Sequence, residues 1–312
     1  MPNGRFCRYS VGMTTLLITG ATRGLGLAAA HAAAARGAHV LVAGRSPDTV
    51  RSTATAVGGE PIVLDLERLA DVRAVADALP AVDAVALNAG LQVVTGASRT
   101  PDGFETTFQV NHLAHILLLD ALLARSEPPA RVVLTGSGTH DPSRRSGMPA
   151  PLEGDIDTWA RAEDGDEEPG VAGRRRYTTS KLLNAATAAA IARERPDVHV
   201  TTFDPGLMLG TGLSRQYPAA VRRLTTVLAP ALAIVIPFAS TPKASGQALA
   251  RLLLEVPAPA TSGAYVDHRL RTQPASAQAR DAGFQTEVLR DSRALLAHAT
   301  EGLTMHQRAE AA

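Results

Sequence analysis

The chain has 312 residues, which is long enough to bury one large hydrophobic core, so a single domain is expected. Its formal net charge is only +1 at pH 7, with acids and bases spread along the chain. Because such a chain has no global field that attracts a phosphate backbone, nucleic acid is excluded as a partner. The single cysteine, Cys7, has no intrachain partner, which fits a reducing, cytoplasmic setting.

Two segments bear on whether the chain is exported or inserted into a membrane. Residues 1–12 lack an apolar run of signal-peptide length, and we interpret them as a disordered N-terminal extension. The longest apolar stretch, 227–239, contains Pro230 and Pro237 and is too short to span a membrane. We therefore expect no integral membrane segment, and we expect residues 13–312 to form one domain.

Short β-branched or leucine-rich runs alternate with longer helical segments along the chain. This alternation predicts an α/β fold, a doubly wound Rossmann-type domain with a mostly parallel sheet and helices on both faces. The seven predicted strands lie near 15–19, 39–43, 61–64, 84–87, 131–135, 198–203 and 263–266. The predicted helices lie near 25–36, 47–57, 69–78, 103–124, 177–194, 243–254 and 278–298.

A glycine-rich turn follows the first predicted strand and opens an alanine-rich helix. Glycines let the backbone approach an anion closely, and the start of the helix offers free amides and the positive end of its dipole. The glycine spacing departs from the G-x-G-x-x-G pattern, so a tight turn without a ligand is the alternative. The context favours a dinucleotide site formed by Gly20, Thr22, Arg23, Gly24, Leu25 and Gly26.

The end of the second predicted strand indicates which nicotinamide dinucleotide is bound. The acidic residue that would accept hydrogen bonds from the adenosine ribose of NAD is missing, and Gly44 and Arg45 stand there. The forked donors of Arg45, together with Arg23 in the turn, suit the 2′-phosphate of NADP. The alternative is that both arginines are ordinary surface charges. We expect NADP(H).

Tyr177 and Lys181 are four residues apart on a predicted helix and therefore share one face. Hydride transfer to a carbonyl leaves negative charge on its oxygen, so a positioned proton donor is needed. The lysine ammonium is expected to lower the pKa of the tyrosine, which is about 10 in isolation. By itself such a pair is more often structural, and it becomes the predicted proton-transfer group only together with the motifs described next.

These residues and four further motifs together resemble one family. The turn TGATRGLG is similar to the TGxxxGxG turn of short-chain dehydrogenases/reductases, and Tyr177 to Lys181 resembles their YxxxK motif. Further family motifs occur in order over about residues 14–266, namely Asn88-Ala89-Gly90, Asn111, Ser137 and Pro205-Gly206.

The resemblance implies a role for each matched residue. Lys181 would also bind the nicotinamide ribose, Ser137 the substrate carbonyl, and Asn111 a water molecule of a proton relay. Asp65, with the adjacent Leu66, resembles the aspartate that binds the adenine amino group, although a helix-capping aspartate would look the same. The implied cofactor site also includes Asn88, Ala89, Gly90, Pro205 and Gly206.

The segment between Ser137 and Tyr177 is longer than in compact family members and includes Ser143 and Ser146. We favour Ser137, because only this serine ends a strand. An insertion at 138–173, acidic over 153–168, is either a solvated loop or a loop that closes over substrate. It resembles that of the retinol-dehydrogenase-like and protochlorophyllide-reductase-like branches, which implies a bulky apolar substrate. Trp159 would either cap an apolar pocket or anchor the insertion.

An apolar, proline-punctuated segment is predicted to form a substrate lid over 207–240. With Ser137 and Tyr177, it would line the substrate site through Leu207, Met208, Leu213 and Tyr217. Two other functions are open: a catalytically idle NADP-binding module, and a membrane-associated lipid or retinoid reductase. The alanines of 177–194 could pack internally or against a second copy, which leaves a homodimer open. The acids match no metal-loop spacing, so no metal is expected.

Overall fold

The computed structural model describes residues 13–144, 146–208, 238–255, 258 and 260–310. The predicted extension at 1–12 lies outside these residues, as do Leu213, Tyr217 and most of the predicted lid. No helix among the described residues is both long enough and apolar enough to cross a membrane.

The described residues form one sheet in the order β3-β2-β1-β4-β5-β6-β7-β8. Its strands are β1 Thr15–Thr19, β2 His39–Gly44, β3 Glu60–Val63, β4 Ala84–Leu87, β5 Arg131–Thr135, β6 His199–Asp204, β7 Tyr265–Asp267 and β8 Thr272–Gln273. All pairs are parallel except β7 with β8. The predicted doubly wound α/β fold is confirmed, with the strand order reversing between β1 and β4.

The sequence predicts seven strands, whereas the described sheet has eight. The additional strand, β8, has only two residues and pairs with β7 through Val266 and Thr272. A run of two residues is too short to show an alternating pattern, which is why the sequence does not reveal this strand.

The helices are α1 Gly24–Ala34, α2 Pro47–Val57, α3 Leu69–Ala78, α4 Thr106–Phe108, α5 Ala114–Leu123, α6 Ile156–Ala160, α7 Pro169–Glu194, α8 Pro242–Leu254, α9 Ala277–Arg280 and α10 Ala282–Glu310. A π-helical turn, Gln109–Leu113, joins α4 to α5. Such turns are rare and occur frequently at functional sites. The predicted helix at 103–124 therefore contains a local change of helical geometry at Asn111.

Both faces of the sheet are buried. Leu17 belongs to the core cluster on the side of α3, α5 and α7, whereas its neighbours Leu16 and Ile18 belong to the cluster on the side of α1, α2 and α8. Alternate residues of one strand thus enter opposite cores, and the strand is apolar throughout. Several alanines of α7 are also buried within the chain, among them Ala186 and Ala188. The homodimer stays a prediction.

The polar segment after β5 is packed against the domain. Its short helix α6 buries Ile156 and Trp159 in the core cluster, and the Trp159 indole donates a hydrogen bond of 3.2 Å to the Leu152 carbonyl oxygen. Trp159 therefore anchors this segment. Helix α7 begins at Pro169, eight residues before the predicted start, because Glu168 caps it by accepting hydrogen bonds from two first-turn amides.

Candidate active site

A cleft of about 470 Å³ opens at the carboxyl ends of the central strands. Parallel α/β sheets bind ligands at this edge, where the strand order reverses. The structure brings nearly all of the predicted cofactor residues together along its wall: Gly20, Thr22, Arg23, Gly24, Leu25, Gly26, Arg45, Asp65, Leu66, Asn88, Ala89, Gly90, Tyr177, Lys181 and Pro205.

The glycine turn has no room for side chains at its closest point. Gly20 has φ 67°, in the left-handed region that favours glycine. A Cβ atom on Gly26 would lie 2.3 Å from the Gly20 carbonyl oxygen and 2.6 Å from Asn88 Nδ2. The N-cap residue of α1, Arg23, provides no side-chain hydrogen bond to the first helical turn. An uncapped helix start behind a tight glycine turn fits the pyrophosphate of a dinucleotide.

Thr19 connects this turn to the end of β4, a role that the sequence analysis missed. Its buried hydroxyl oxygen accepts hydrogen bonds of 2.9 Å from the backbone amides of both Asn88 and Ala89. The Asn88 side chain donates in return to the Thr19 carbonyl oxygen at 2.8 Å. His115 Nε2 lies 3.1 Å from the same hydroxyl. The two strand ends that frame the cleft are therefore fixed to each other.

Arg45 and Glu67 form an ion pair at the outer end of the cleft. The Arg45 side chain is 65% exposed and donates from Nη1 to Glu67 Oε1. Glu67 also lines the cleft, although no motif in the sequence indicates a role for it. Asp65 Oδ1 accepts a hydrogen bond of 3.1 Å from the Glu67 amide, so Asp65 shapes this turn in addition to lining the cleft.

Tyr177 and Lys181 lie on α7 with their side chains buried. The Ser137 side chain lies close enough to the Tyr177 hydroxyl to lower the pKa of that hydroxyl. Lys181 Nζ donates a hydrogen bond of 3.0 Å to the Thr135 carbonyl oxygen, at the end of β5. The alternative serines do not have this position: Ser143 donates to Asp141. The structure thus places the predicted serine, tyrosine and lysine together.

The pKa of Tyr177 departs from the sequence expectation. Burial raises it well above its usual value, the negative charge of Asp204 raises it further, and the hydrogen bond with Ser137 lowers it in part. Lys181 Nζ lies 5.5 Å from the centre of the tyrosine ring and donates a hydrogen bond to the Thr135 carbonyl oxygen. Burial lowers the pKa of Lys181 to about 8, and Asp204 opposes that change.

Asn111 lies in the π-helical turn and is completely buried. Its side-chain oxygen accepts from the Leu91 amide at 2.8 Å, and its side-chain nitrogen donates to the Leu91 carbonyl oxygen and to the Ser180 hydroxyl. A Cβ atom on Gly90 would lie 3.3 Å from Asn111 Oδ1 and 3.6 Å from Lys181 Nζ. The asparagine therefore joins the loop after β4 to α7, beside the lysine.

His140 is hydrogen-bonded to the backbone of the predicted catalytic serine, Ser137. Its Nε2 accepts a hydrogen bond of 3.0 Å from the Ser276 amide, so its Nδ1 carries the proton and donates to the Ser137 carbonyl oxygen at 2.7 Å. Burial lowers the pKa of His140, which favours this neutral form. His112 and His115 are also buried, and burial lowers their pKa values to about 3 and about 4. All three histidines are buried and favour the neutral form, as expected for histidines that support the fold.

The two ends of the predicted lid meet beside the cleft. The Leu207 amide donates to the Phe238 carbonyl oxygen at 2.8 Å, and the Ser240 amide donates to the Leu207 carbonyl oxygen at 3.0 Å. The side chains of Leu207 and Phe238 are 41% and 57% exposed, and Met208 lines the cleft. Gly206 lies at the base of this segment, where its amide binds Asp204.

Comparison with known proteins identifies the class. The family model "short chain dehydrogenase" matches residues 14–146. The chain is 32% identical over 281 residues to protochlorophyllide reductase A of Triticum aestivum, covering 80% of this chain and 71% of that protein. It is 37% identical over 202 residues to a Streptomyces protein described as daunorubicin C-13 ketoreductase DnrU, of whose length it spans 65%, a little under two thirds.

Solved structures give the same fold. An uncharacterised protein of Mycobacterium Paratuberculosis matches with a TM-score of 0.61 and 25% identity, over 91% of this chain and 94% of that one. An NADP-containing structure described as an NAD(P)-dependent gluconate 5-dehydrogenase of Beutenbergia cavernae matches with a TM-score of 0.59 and 23% identity, over 89% and 98%.

The chain therefore belongs to the short-chain dehydrogenase/reductase family, in its retinol-dehydrogenase-like and protochlorophyllide-reductase-like branch. Members of this family are oxidoreductases that act on carbonyl or alcohol groups with nicotinamide cofactors.

Substitution of Gly26 by alanine tests whether the glycine turn holds the cofactor. The new methyl group would overlap the Gly20 carbonyl oxygen, so the turn must open. We expect the Kd of both NADPH and NADH, measured by fluorescence titration, to rise by about tenfold or more, which corresponds to about 1.4 kcal/mol. Gly58→Asn is the control, since Gly58 has φ 73°, has open space around it and does not line the cleft. An unchanged Kd in Gly26→Ala would contradict the assignment.

Proposed function

We propose that this protein is an NADP(H)-dependent carbonyl reductase for bulky apolar substrates, with Tyr177 as its proton donor. The observation that carries the proposal is the juxtaposition of Ser137, Tyr177 and Lys181 at the edge of the cleft that contains the glycine turn. A binding module without catalysis would not require a buried tyrosine and lysine beside the same strand ends.

The reaction follows from these positions. A nicotinamide cofactor held by the residues of the glycine turn would supply the hydride when bound in the cleft. Ser137 Oγ and Tyr177 Oη would hold the substrate carbonyl oxygen, where negative charge develops as the carbonyl carbon accepts the hydride. Tyr177 then gives its hydroxyl proton to that oxygen, which completes the alcohol. The cationic form of Lys181 would stabilise the phenolate that remains until it takes up a proton from solvent.

Two features support NADP(H) as the cofactor. Gly44 ends β2 without an acceptor for ribose hydroxyls, and the next residue, Arg45, lines the cleft with its side chain largely exposed. Arg23 lines the same cleft from the glycine turn. The forked donors of an arginine can bind a phosphate through two hydrogen bonds. Arg45 would then exchange its Glu67 partner for the 2′-phosphate.

The substrate class rests on the apolar groups around the cleft mouth. Met208 lines the cleft, and the neighbouring Leu207 exposes its side chain, as does Phe238, whose carbonyl oxygen accepts a hydrogen bond from the Leu207 amide. Relatives named for daunorubicin and for protochlorophyllide support a large carbonyl compound, since both molecules are far larger than a simple aldehyde. The cytoplasmic location stays a prediction.

The cofactor proposal predicts opposite effects of two substitutions. Arg45→Ala should raise the Kd of NADPH by about tenfold or more and leave that of NADH nearly unchanged, because hydrogen bonds to charged groups contribute about 1.5–3 kcal/mol. Glu67→Gln should lower the Kd of NADPH, because it removes both the competing partner of Arg45 and a like charge. Calorimetric titration measures both. Arg51→Ala is the matched control, since Arg51 pairs with Asp48 outside the cleft lining. Equal wild-type affinity for NADPH and NADH would refute the proposal.

A panel of carbonyl compounds tests the substrate class through NADPH oxidation. Large apolar ketones should exceed small polar aldehydes in kcat/KM, because each Å² of apolar surface removed from water contributes about 25 cal/mol. Met208→Ser should narrow this difference, because Met208 lines the cleft. Val63→Ser, which alters an exposed valine on β3 outside the cleft lining, should not. A preference for small polar aldehydes would show that the substrate class is wrong.

Tyr177→Phe tests the proton donor. The variant keeps the ring and loses the hydroxyl, so kcat should fall by about 10²–10⁴-fold while NADPH still binds. Near-wild-type turnover in Tyr177→Phe would end the mechanism.

The pH dependence of NADPH binding tests the role of Lys181. In the wild type, NADPH affinity should decrease as the pH rises through about 8, where the ammonium of Lys181 loses its proton. Lys181→Met should abolish this pH dependence and lower kcat as well.

A further inference from the structure

A second hydroxyl group lies beside that of Ser137, and the reaction described above does not use it. It belongs to Thr139, which is half-buried in the 3₁₀ turn Gly138–His140 that follows β5. Thr139 Oγ1 donates a hydrogen bond of 3.0 Å to Ser137 Oγ, and the Thr139 backbone amide donates one of 3.4 Å to the same oxygen. Ser137 Oγ therefore accepts two hydrogen bonds from one residue.

The two hydrogen bonds from Thr139 determine how Ser137 can act. A serine hydroxyl has two lone pairs that accept hydrogen bonds and one proton that it donates. Because Thr139 occupies both lone pairs, the serine proton is the group that remains for a ligand. In this state Ser137 cannot accept the proton of Tyr177, whose hydroxyl it lies beside. The protons of both hydroxyls are then available to a substrate carbonyl oxygen.

The backbone of Ser137 is held in place by His140. The Ser137 carbonyl oxygen accepts hydrogen bonds from the His140 amide at 3.2 Å and from His140 Nδ1 at 2.7 Å. His140 is completely buried, and its Nε2 accepts from the Ser276 amide at 3.0 Å. These bonds tie the turn to a segment more than a hundred residues away in the sequence. Since the backbone of the serine is fixed, its side-chain partner decides the direction of its hydroxyl.

We propose that Thr139 is a positioning residue: its hydroxyl occupies an acceptor position of Ser137 and thereby keeps the serine proton directed at the substrate carbonyl oxygen. This inference rests on the proposed function, in which Ser137 and Tyr177 bind that oxygen. Thr139 acts through the serine, so its effect on turnover should depend on the presence of Ser137.

The loss of the Thr139 hydroxyl has a defined chemical consequence. Ser137 would gain a free lone pair and could accept the Tyr177 proton, which would then be withheld from the carbonyl oxygen. Negative charge develops on that oxygen during hydride transfer, so a misdirected donor costs most in the transition state. The effect should therefore fall on kcat. Cofactor binding should not change, because Thr139 does not line the cleft.

Removal of the hydroxyl without a change of shape tests the inference. The substrate is the large apolar ketone with the highest kcat/KM in the panel described above, reduced with NADPH. Thr139→Val should lower kcat by about three- to tenfold, as expected for one neutral hydrogen bond, and leave the Kd of NADPH unchanged. Thr139→Ser keeps the hydroxyl and should retain kcat. Thr55→Val is the matched control, since Thr55 is exposed on α2 and donates to the Arg51 carbonyl oxygen at 3.0 Å.

A double-variant cycle with Ser137→Ala separates positioning from a contribution to folding. Without the serine there is no proton to direct, so Thr139→Val should cause no further loss of kcat in the Ser137→Ala protein. Denaturant unfolding of the same four cofactor-free proteins measures whether the two side chains interact. Their effects on the free energy of unfolding should be non-additive.

The outcomes that decide the inference are distinct from those that decide the proposed function. The inference is overturned if Thr139→Val keeps wild-type kcat, if Thr139→Ser loses as much as Thr139→Val, or if Thr139→Val lowers kcat equally with and without Ser137. Additive effects on unfolding would also overturn it, and that measurement does not depend on turnover. Wild-type turnover in Ser137→Ala, or no reduction of any carbonyl compound by the wild type, would instead refute the proposed function.

Discussion

The candidate site depends on the hydrogen bonds that join the carboxyl ends of β1 and β4. There the Thr19 hydroxyl accepts hydrogen bonds from two consecutive amides, those of Asn88 and Ala89. The two strand ends are so close together that a Cβ atom on Gly20 would lie 2.8 Å from Ala89 Cα. Parallel strands diverge into separate crossovers at this point, and the hydrogen bonds prevent the turns from separating. The cleft between the glycine turn and α7 has its shape because these two ends are fixed.

Helix α7 carries the tyrosine and lysine, and the long segment before it fixes the start of the helix. Arg176, which precedes Tyr177, is buried and pairs with Glu105 at the beginning of α4 and with Asp164 of the insertion. Burial raises the pKa of Glu105, and the positive charge of Arg176 opposes that rise. Buried ions require such partners, because an unpaired charge is costly away from water. The insertion thus helps to orient the helix that carries Tyr177, in addition to extending the loop.

Local patterns in the sequence were sufficient for the fold class and for most of the site. The strands β1, β4 and β5 and the helices α2 and α3 have the bounds expected from apolar runs, because strands buried on both faces must be continuously apolar. The glycine turn, Asn111, Ser137 and the YxxxK pair fall on the expected elements, and the structure brings them to one edge of the sheet. Such motifs can be recognised in the sequence because their backbone conformation and side-chain chemistry depend on a few neighbouring residues.

Contacts between residues far apart in the sequence determined the start of α7 and the environment of Tyr177. The early start of α7 required the Glu168 cap and the buried ion pair of Arg176, whereas the charges around them resemble a solvated loop in the sequence. The pKa of Tyr177 rises because the fold buries the residue and brings it near Asp204. No spacing of residues along the chain encodes burial or the distance between charges on different elements. The sequence determined which reactive groups are present, and the tertiary structure determined their protonation, because desolvation and Coulomb interactions depend on three-dimensional packing.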